Sequence, residues 1–237
     1  VVNDAGQDVG SMLRKMGAKR KIIYETHQKN MGAGAARNTG MRLAHGKYIA
    51  FLDDDDLYHP QHIFPLVAEL EANPSLVAAY TDAIQITQVH RKKGSVQTEK
   101  KVIYSMDFSP QTIMVHNYIP ILCLMFRKEV LATVGFFDDT LPALEDWEWL
   151  IRLSRAGRFS HLPFVTAEYV VKYGAKSRNM LSQDTIRNIY QRIYRECSRY
   201  TTPETRMAQR EFYQSMTGRD LWVDLPELAM MEHEYYE

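Results

Sequence analysis

The sequence predicts an α/β fold, a mostly parallel sheet flanked by helices with a helical extension at the carboxyl end. Three observations carry that expectation. Short apolar runs at residues 48–52, 76–80 and 120–126 have the length of strands buried within a sheet. Patterns of helical period lie between such runs, as strands joined by helices require. The first run ends abruptly in four acids, Asp53-Asp54-Asp55-Asp56, which suits the carboxyl edge of a sheet, where open α/β folds bind ligands.

Composition narrows the class further. With 237 residues, 45% of them hydrophobic, the chain can bury a substantial core. Lys+Arg and Asp+Glu both total 29, so the net charge is zero and no global field draws the chain to nucleic acid. Cys123 and Cys197 are too few for a disulfide scaffold, which points to a reducing compartment and a cytoplasmic location. No apolar stretch approaches the ~20 residues that span a bilayer, and no signal-peptide pattern opens the sequence.

Taken in order, Val1-Val2-Asn3-Asp4 reads as a strand end and turn. There is no initiator Met and an α/β sheet normally has an earlier βα unit here, so a piece of a longer polypeptide is expected. Residues 9–16 read as a short helix and 21–24 as a second strand. In the passage 30–40, Gly32, Gly34 and Gly40 permit close backbone approach before a helical pattern. Such a helix start favours phosphate, and Arg37 adds a charge-assisted contact to the same anion. Tight packing of helix on sheet is the alternative.

The four acids suit Mg²⁺ or Mn²⁺, hard cations that keep one or two carboxylates and share a substrate's phosphates. Along an extended chain Asp53 and Asp55 would point one way, Asp54 and Asp56 the other. The alternative is an acidic turn ahead of the helix predicted over 59–71. The run 76–80 ends at Thr81-Asp82, and 84–89 with 101–104 flank a basic tip at 91–95. Residues 127–134 read as a helix stopped by Gly135. In the next helix Asp146 sits in the first turn, either as a helix-end acid or as a general base. Trp147 and Trp149 read as core, or as an aromatic face for a sugar. A basic loop at 174–178 precedes an amphipathic helix striped by Ile186, Ile189, Tyr190, Ile193, Tyr194 and Cys197. Its stripe suits packing on the domain, or peripheral contact with a membrane surface.

Four of these stretches, in this order, resemble the family 2 glycosyltransferases, inverting enzymes of the GT-A, Rossmann-like fold. They are Val1-Val2-Asn3-Asp4, the glycine-rich start at 30–40, Phe51-Leu52-Asp53-Asp54-Asp55, and Glu145-Asp146-Trp147. The resemblance implies a GT-A domain over 1–180, lacking its amino-terminal βα unit, and a helical extension over 181–237. It implies metal-dependent transfer of a sugar from a nucleotide-sugar, by default a UDP-sugar, to a glycan, lipid-linked or protein hydroxyl in glycan or polysaccharide assembly. Asp4, Arg37, Asp53 and Asp54 would contact the nucleotide, and Asp53 and Asp55 would hold Mn²⁺ or Mg²⁺. Asp146 would be the base, with Glu145 and Trp147 beside the acceptor. Asn3 departs from the family's acid at that position, and Lys172, Lys176 and Arg178 supply cations for a diphosphate. A sugar nucleotidyltransferase and a non-catalytic nucleotide-sugar-binding module are the competing expectations.

Overall fold

A computed structural model describes residues 1–16, 21–90, 96–173 and 181–233. The basic tip at 91–95, the basic loop at 174–178 and the side chain of Lys172 lie outside the described residues. Strand β1 (Val2–Asn3) pairs in parallel with β2 (Glu25–Thr26), and α1 (Gly10–Met16) lies between them in sequence. Then come α2 (Ala33–Leu43), β3 (Tyr48–Ala50), β4 (Leu57–Tyr58), α3 (Ile63–Ala72), β5 (Leu76–His90) and β6 (Val96–Tyr104). Next are β7 (Leu124–Arg127), α4 (Leu131–Val134), α5 (Glu145–Ala156) and β8 (Arg158–Tyr173). Helices α6 (Gln183–Cys197), α7 (Pro203–Thr217), α8 (Leu221–Asp224) and α9 (Pro226–His233) follow. The main sheet runs β3-β7-β5-β8-β4, and β6 pairs the far half of β5.

Alternation along the strands supplies two apolar faces. Ile49, Ala78, Tyr80, Leu124 and Phe126 join the larger core with α5 and the late helices, whereas Ala79 and Met125 pack with Leu66 and Leu70 of α3. The sheet is therefore covered on both sides, which is why its strands read as continuous apolar runs. That signal reports two-sided burial and not strand direction, and here the expectation of mostly parallel pairing is corrected. β1–β2 and β5–β8 are parallel, while β3–β7, β5–β7, β5–β6 and β4–β8 are antiparallel. The α/β architecture itself holds.

Two boundaries also differ. The strand expected at 21–24 is confined to Glu25–Thr26, where the ladder with β1 runs. The strand expected to stop at Tyr80 continues to His90 through register shifts at Thr81, Asp82 and Ala83. Asp82 therefore lies inside the strand, 5% exposed, facing His161 Nε2 at 2.7 Å rather than a ligand edge.

The late helices are positioned by ordinary local chemistry. Ser182 Oγ accepts from Thr185 N at 3.0 Å to cap α6, and Thr202 Oγ1 accepts from Thr205 N at 3.2 Å to cap α7, with Pro203 in its first turn. The stripe of α6 packs inward: Ile189, Ile193, Tyr194 and Cys197 are all buried, so it is not displayed to a membrane. Tyr194 Oη donates to Val115 O at 2.8 Å and Gln209 Nε2 to Met114 O at 2.9 Å. These bonds hold the segment that leads into His116 and Asn117. Among the described residues no helix is long and apolar enough to cross a membrane.

Gly157, between α5 and β8, makes the closest approach: a Cβ there would lie 2.5 Å from Val77 Cγ1. Gly157→Ala is expected to destabilise the fold by about 1–3 kcal/mol through overpacking. An unchanged melting temperature would refute that contact.

Candidate active site

Beyond β3 the chain buries Phe51, whose ring stacks on Phe126 at 5.8 Å and meets Phe137 edge-on at 5.4 Å. With Phe51 anchored, the acids leave the sheet as a turn, in which Asp56 N donates to Asp53 O at 3.2 Å. The alternation expected of an extended chain therefore does not apply. Asp54 and Asp55 are exposed, whereas Asp53 and Asp56 are partly covered. Asp56 accepts from Val170 N at 3.0 Å. Burial pushes its pKa up to about 6 against that amide, and Asp53 and Asp55 push the same way. The turn concentrates negative charge.

Helix α2 brings Arg37 to this turn. Asn38 anchors the helix by exchanging hydrogen bonds with the backbone of Phe137, Nδ2 to O at 2.9 Å and N to Oδ1 at 2.8 Å. Gly34 permits close approach to α5, since a Cβ would meet Glu145 Cγ at 3.1 Å. The guanidinium then spans two carboxylates, donating to Asp53 Oδ2 at 2.6 Å and to Glu145 Oε1 at 2.8 Å. Burial alone would lower its pKa, but Asp53, Asp146 and Glu145 together raise it, so Arg37 stays charged. Its Nε is buried without a partner among the described residues.

At the start of α5, Leu144 takes a left-handed conformation, φ 60°, that is uncommon outside glycine. Asp146 Oδ1 accepts from Trp147 N at 2.8 Å and Oδ2 accepts from Asn117 Nδ2 at 3.2 Å. Burial raises the Asp146 pKa, partly offset by Arg37. Glu145 is raised by burial and by Asp146, again against Arg37. Trp147 donates Nε1–H to Ile113 O at 2.6 Å, and Trp149 donates to Gly135 O at 3.0 Å in the core.

These elements enclose a cavity of about 350 Å³ whose wall includes Arg37, Asp53, Asp56, Asn117, Asp146 and Trp147. The late helices contribute Tyr190 and Phe212. A larger cavity, about 640 Å³, opens beside Arg155 and Tyr200 at the other end of α5. None of the expected site residues lines it, so size does not identify the site.

The structure thus unites Arg37, Asp53, Asp146 and Trp147, and it ties Glu145 to them through Arg37. Asp54 and Asp55 stand on the exposed turn outside the cavity wall. Asp4 is placed apart from the wall: its carboxylate accepts from Met31 N and Gly32 N, both at 2.8 Å, and faces His27 Nδ1 at 2.7 Å. Those donors lower its pKa despite burial. Gly32, at φ 90°, is the residue that lets the backbone turn both amides toward it. Asp56, Asn117, Tyr190 and Phe212 were not expected at the site. Asp56 belongs to the acid run, but alternation had assigned it to the other side, and Asn117 carries no pattern of its own.

Of the carboxylates around this cavity, Asp146 is fixed by the Trp147 amide and Asn117 and can accept a proton. Residues 1–134 match the model of glycosyl transferase family 2. The chain is 28% identical over 171 residues to YwdF of Bacillus subtilis, an uncharacterized glycosyltransferase, covering 71% of this chain and 61% of that protein. It is 28% identical over 157 residues to a chondroitin synthase of Escherichia coli, covering 65% of this chain and 22% of that one. The fold is similar to S. aureus TarS 1-349 in complex with UDP-GlcNAc, with a TM-score of 0.62 at 16% identity over 90% of this chain and 61% of that one. The chain spans less than two thirds of the length of these relatives.

Proposed function

Because the chain belongs to glycosyl transferase family 2, we propose that it transfers a sugar from a nucleotide-sugar donor, a UDP-sugar, to a hydroxyl acceptor with inversion at the anomeric carbon. The observation that carries this reading is the Arg37 bridge. By holding Asp53 at 2.6 Å and Glu145 at 2.8 Å it sets the acidic turn and the Glu145-Asp146 helix start on one cavity. Donor chemistry and acceptor chemistry need that juxtaposition.

Asp146 is the proposed base. Its two oxygens each have one donor, Asn117 and the Trp147 amide, which fix the carboxylate without neutralising it. An acceptor hydroxyl is a weak nucleophile until a carboxylate takes its proton as attack proceeds. Attack opposite the leaving diphosphate inverts the anomeric centre without a covalent sugar intermediate. Raising the Asp146 pKa by burial makes it a better proton acceptor.

Among the described residues no three His, Cys, Asp or Glu side chains are grouped to hold a metal ion, so a cation on the turn would take its remaining ligands from substrate and water. The turn's carboxylates are hard oxygen donors, and Asp53 and Asp55 add to the burial that raises the Asp56 pKa. Asp53 and Asp55 are the proposed holders of Mn²⁺ or Mg²⁺, which when bound supplies positive charge for the leaving diphosphate. UDP is expected to bind about tenfold or more tightly with Mn²⁺ than with chelator, a difference of ~1.4 kcal/mol, by calorimetry. Equal affinity in the two conditions, or an Asp55→Asn variant with the full metal effect, removes this site.

Product analysis tests the reaction class. Release of UDP from a UDP-sugar supports glycosyl transfer, release of pyrophosphate during sugar-nucleotide formation supports nucleotidyl transfer, and donor binding without turnover in the full-length protein supports a binding module.

A further inference from the structure

We propose that the cavity of about 640 Å³ at the carboxyl end of α5 binds an anionic amphiphile, an apolar body carrying a phosphate or carboxylate head. The site is separate from the one that holds Asp146 and independent of the glycosyl-transfer reading. Two guanidiniums at its wall carry it. Arg155 of α5 and Arg199, just past α6, both lie over the Tyr200 ring, at 4.8 and 4.7 Å from its centroid. Every other arginine of α5 and α6 has a carboxylate: Arg152 has Glu148, Arg187 has Asp184, Arg192 has Asp138 and Glu196, and Arg195 has Glu227. Among the described residues Arg155 and Arg199 have none. Two like charges brought to one ring without a carboxylate between them repel each other, and an anion held there is attracted by both.

The rest of the wall selects the ligand's body. Its acids are already committed: both oxygens of Glu148 accept from Arg152, Nε and Nη2 each at 2.6 Å, and Glu196 accepts from Arg192 Nε at 3.0 Å. Arg152 also donates to the carbonyls of Val134 and Phe136, which fixes it in place. Three helices supply the aliphatic part of the lining, with Val134 of α4, Ile151 and Ala156 of α5, and Ile193 of α6. An inorganic anion would meet Arg155 and Arg199 but leave these side chains facing water. An uncharged hydrocarbon would cover them and leave both guanidiniums without an anion. A ligand with both parts satisfies both. The volume is of the size that encloses small ligands. Asp146 and Arg155 stand near opposite ends of α5, about 14 Å apart along the helix axis, so the two cavities can be occupied independently.

Calorimetry on the intact chain tests the site, with octyl phosphate and octanoate below their micelle concentrations, inorganic phosphate as the head alone and octan-1-ol as the uncharged body. The two amphiphiles are expected to bind about tenfold or more tightly than either part alone. Arg155→Gln and Arg199→Gln should each weaken octyl phosphate roughly tenfold, as loss of one charge-assisted contact does, with UDP affinity unchanged. Both arginines are exposed, so these variants are expected to fold. Ala156→Leu, which fills the aliphatic part, should weaken octyl phosphate in the same way. Sedimentation with phosphatidylglycerol vesicles then separates the sources: retention that the arginine variants lose assigns the anion to a bilayer lipid, and no retention beside octyl phosphate binding assigns it to a free amphiphile. Equal binding of octyl phosphate and octan-1-ol, inorganic phosphate binding as tightly as octyl phosphate, or undiminished affinity in the Arg155→Gln, Arg199→Gln double variant overturns the site. So does a lowered melting temperature with unchanged affinity, the result expected of arginines that only offset the carboxyl ends of α5 and α6.

Discussion

Asp146→Asn is expected to lower sugar transfer by roughly 10²- to 10⁴-fold while UDP affinity persists, because the amide keeps the carboxylate's shape but cannot take the acceptor's proton. The structure adds two signatures. Burial raises the Asp146 pKa, so the parent enzyme should lose activity as pH falls through that raised value, and the residual activity of the variant should lack this limb. The same shift has a consequence for stability. A carboxylate whose folded pKa lies above its unfolded one favours folding only while protonated, and that contribution is lost as pH rises through the folded value. Asp146→Asn should therefore melt no lower than the parent at neutral pH. Near-normal transfer would remove Asp146 as the base. Glu145→Gln is the control: Glu145 accepts from Arg37 at 2.8 Å, so its loss should act mainly through the position of Arg37.

The second large effect is expected at Arg37. Arg37→Met should destabilise the fold by about 3–5 kcal/mol, because removing one partner of a buried pair leaves the other charged and unpaired. Most of that cost falls on Glu145, whose side chain is 12% exposed; Asp53, at 41%, is better solvated and loses less. Arg37→Lys keeps the charge but cannot donate from two nitrogens to Asp53 and Glu145 at once. It should retain part of the stability and lose UDP affinity as the turn and the α5 start drift apart. Urea titration and calorimetry separate the two. Normal stability in Arg37→Met would mean that the bridge does not hold the site together.

Local pattern made much of this protein legible. The glycine-rich passage, the acid run and the Glu145-Asp146-Trp147 helix start are contiguous in sequence, and each carries its chemistry in residue type and spacing. The apolar stripe of α6 was equally readable, because 3.6-residue periodicity is a property of one helix. Strand direction was not, since an apolar run reports burial on both faces and says nothing about which end the chain enters from. The acid run shows the same limit at smaller scale: four acids were visible, but the anchoring of Phe51 against Phe126 and Phe137 turned them out of the extended conformation and gave Asp56 to the cavity.

What the sequence by itself determined is the α/β class, the family and the chemical types available at the site. Tertiary structure decided which of those groups meet. Arg37 and Glu145 are 108 residues apart, Asn117 and Asp146 are 29 apart, and Tyr190 and Phe212 arrive from helices outside the family match. No periodicity spans such separations, because periodicity encodes how one element buries its own face. Which elements share a cavity follows from packing of the whole core, and the segment that leads into His116 and Asn117 is held by Tyr194 of α6 and Gln209 of α7.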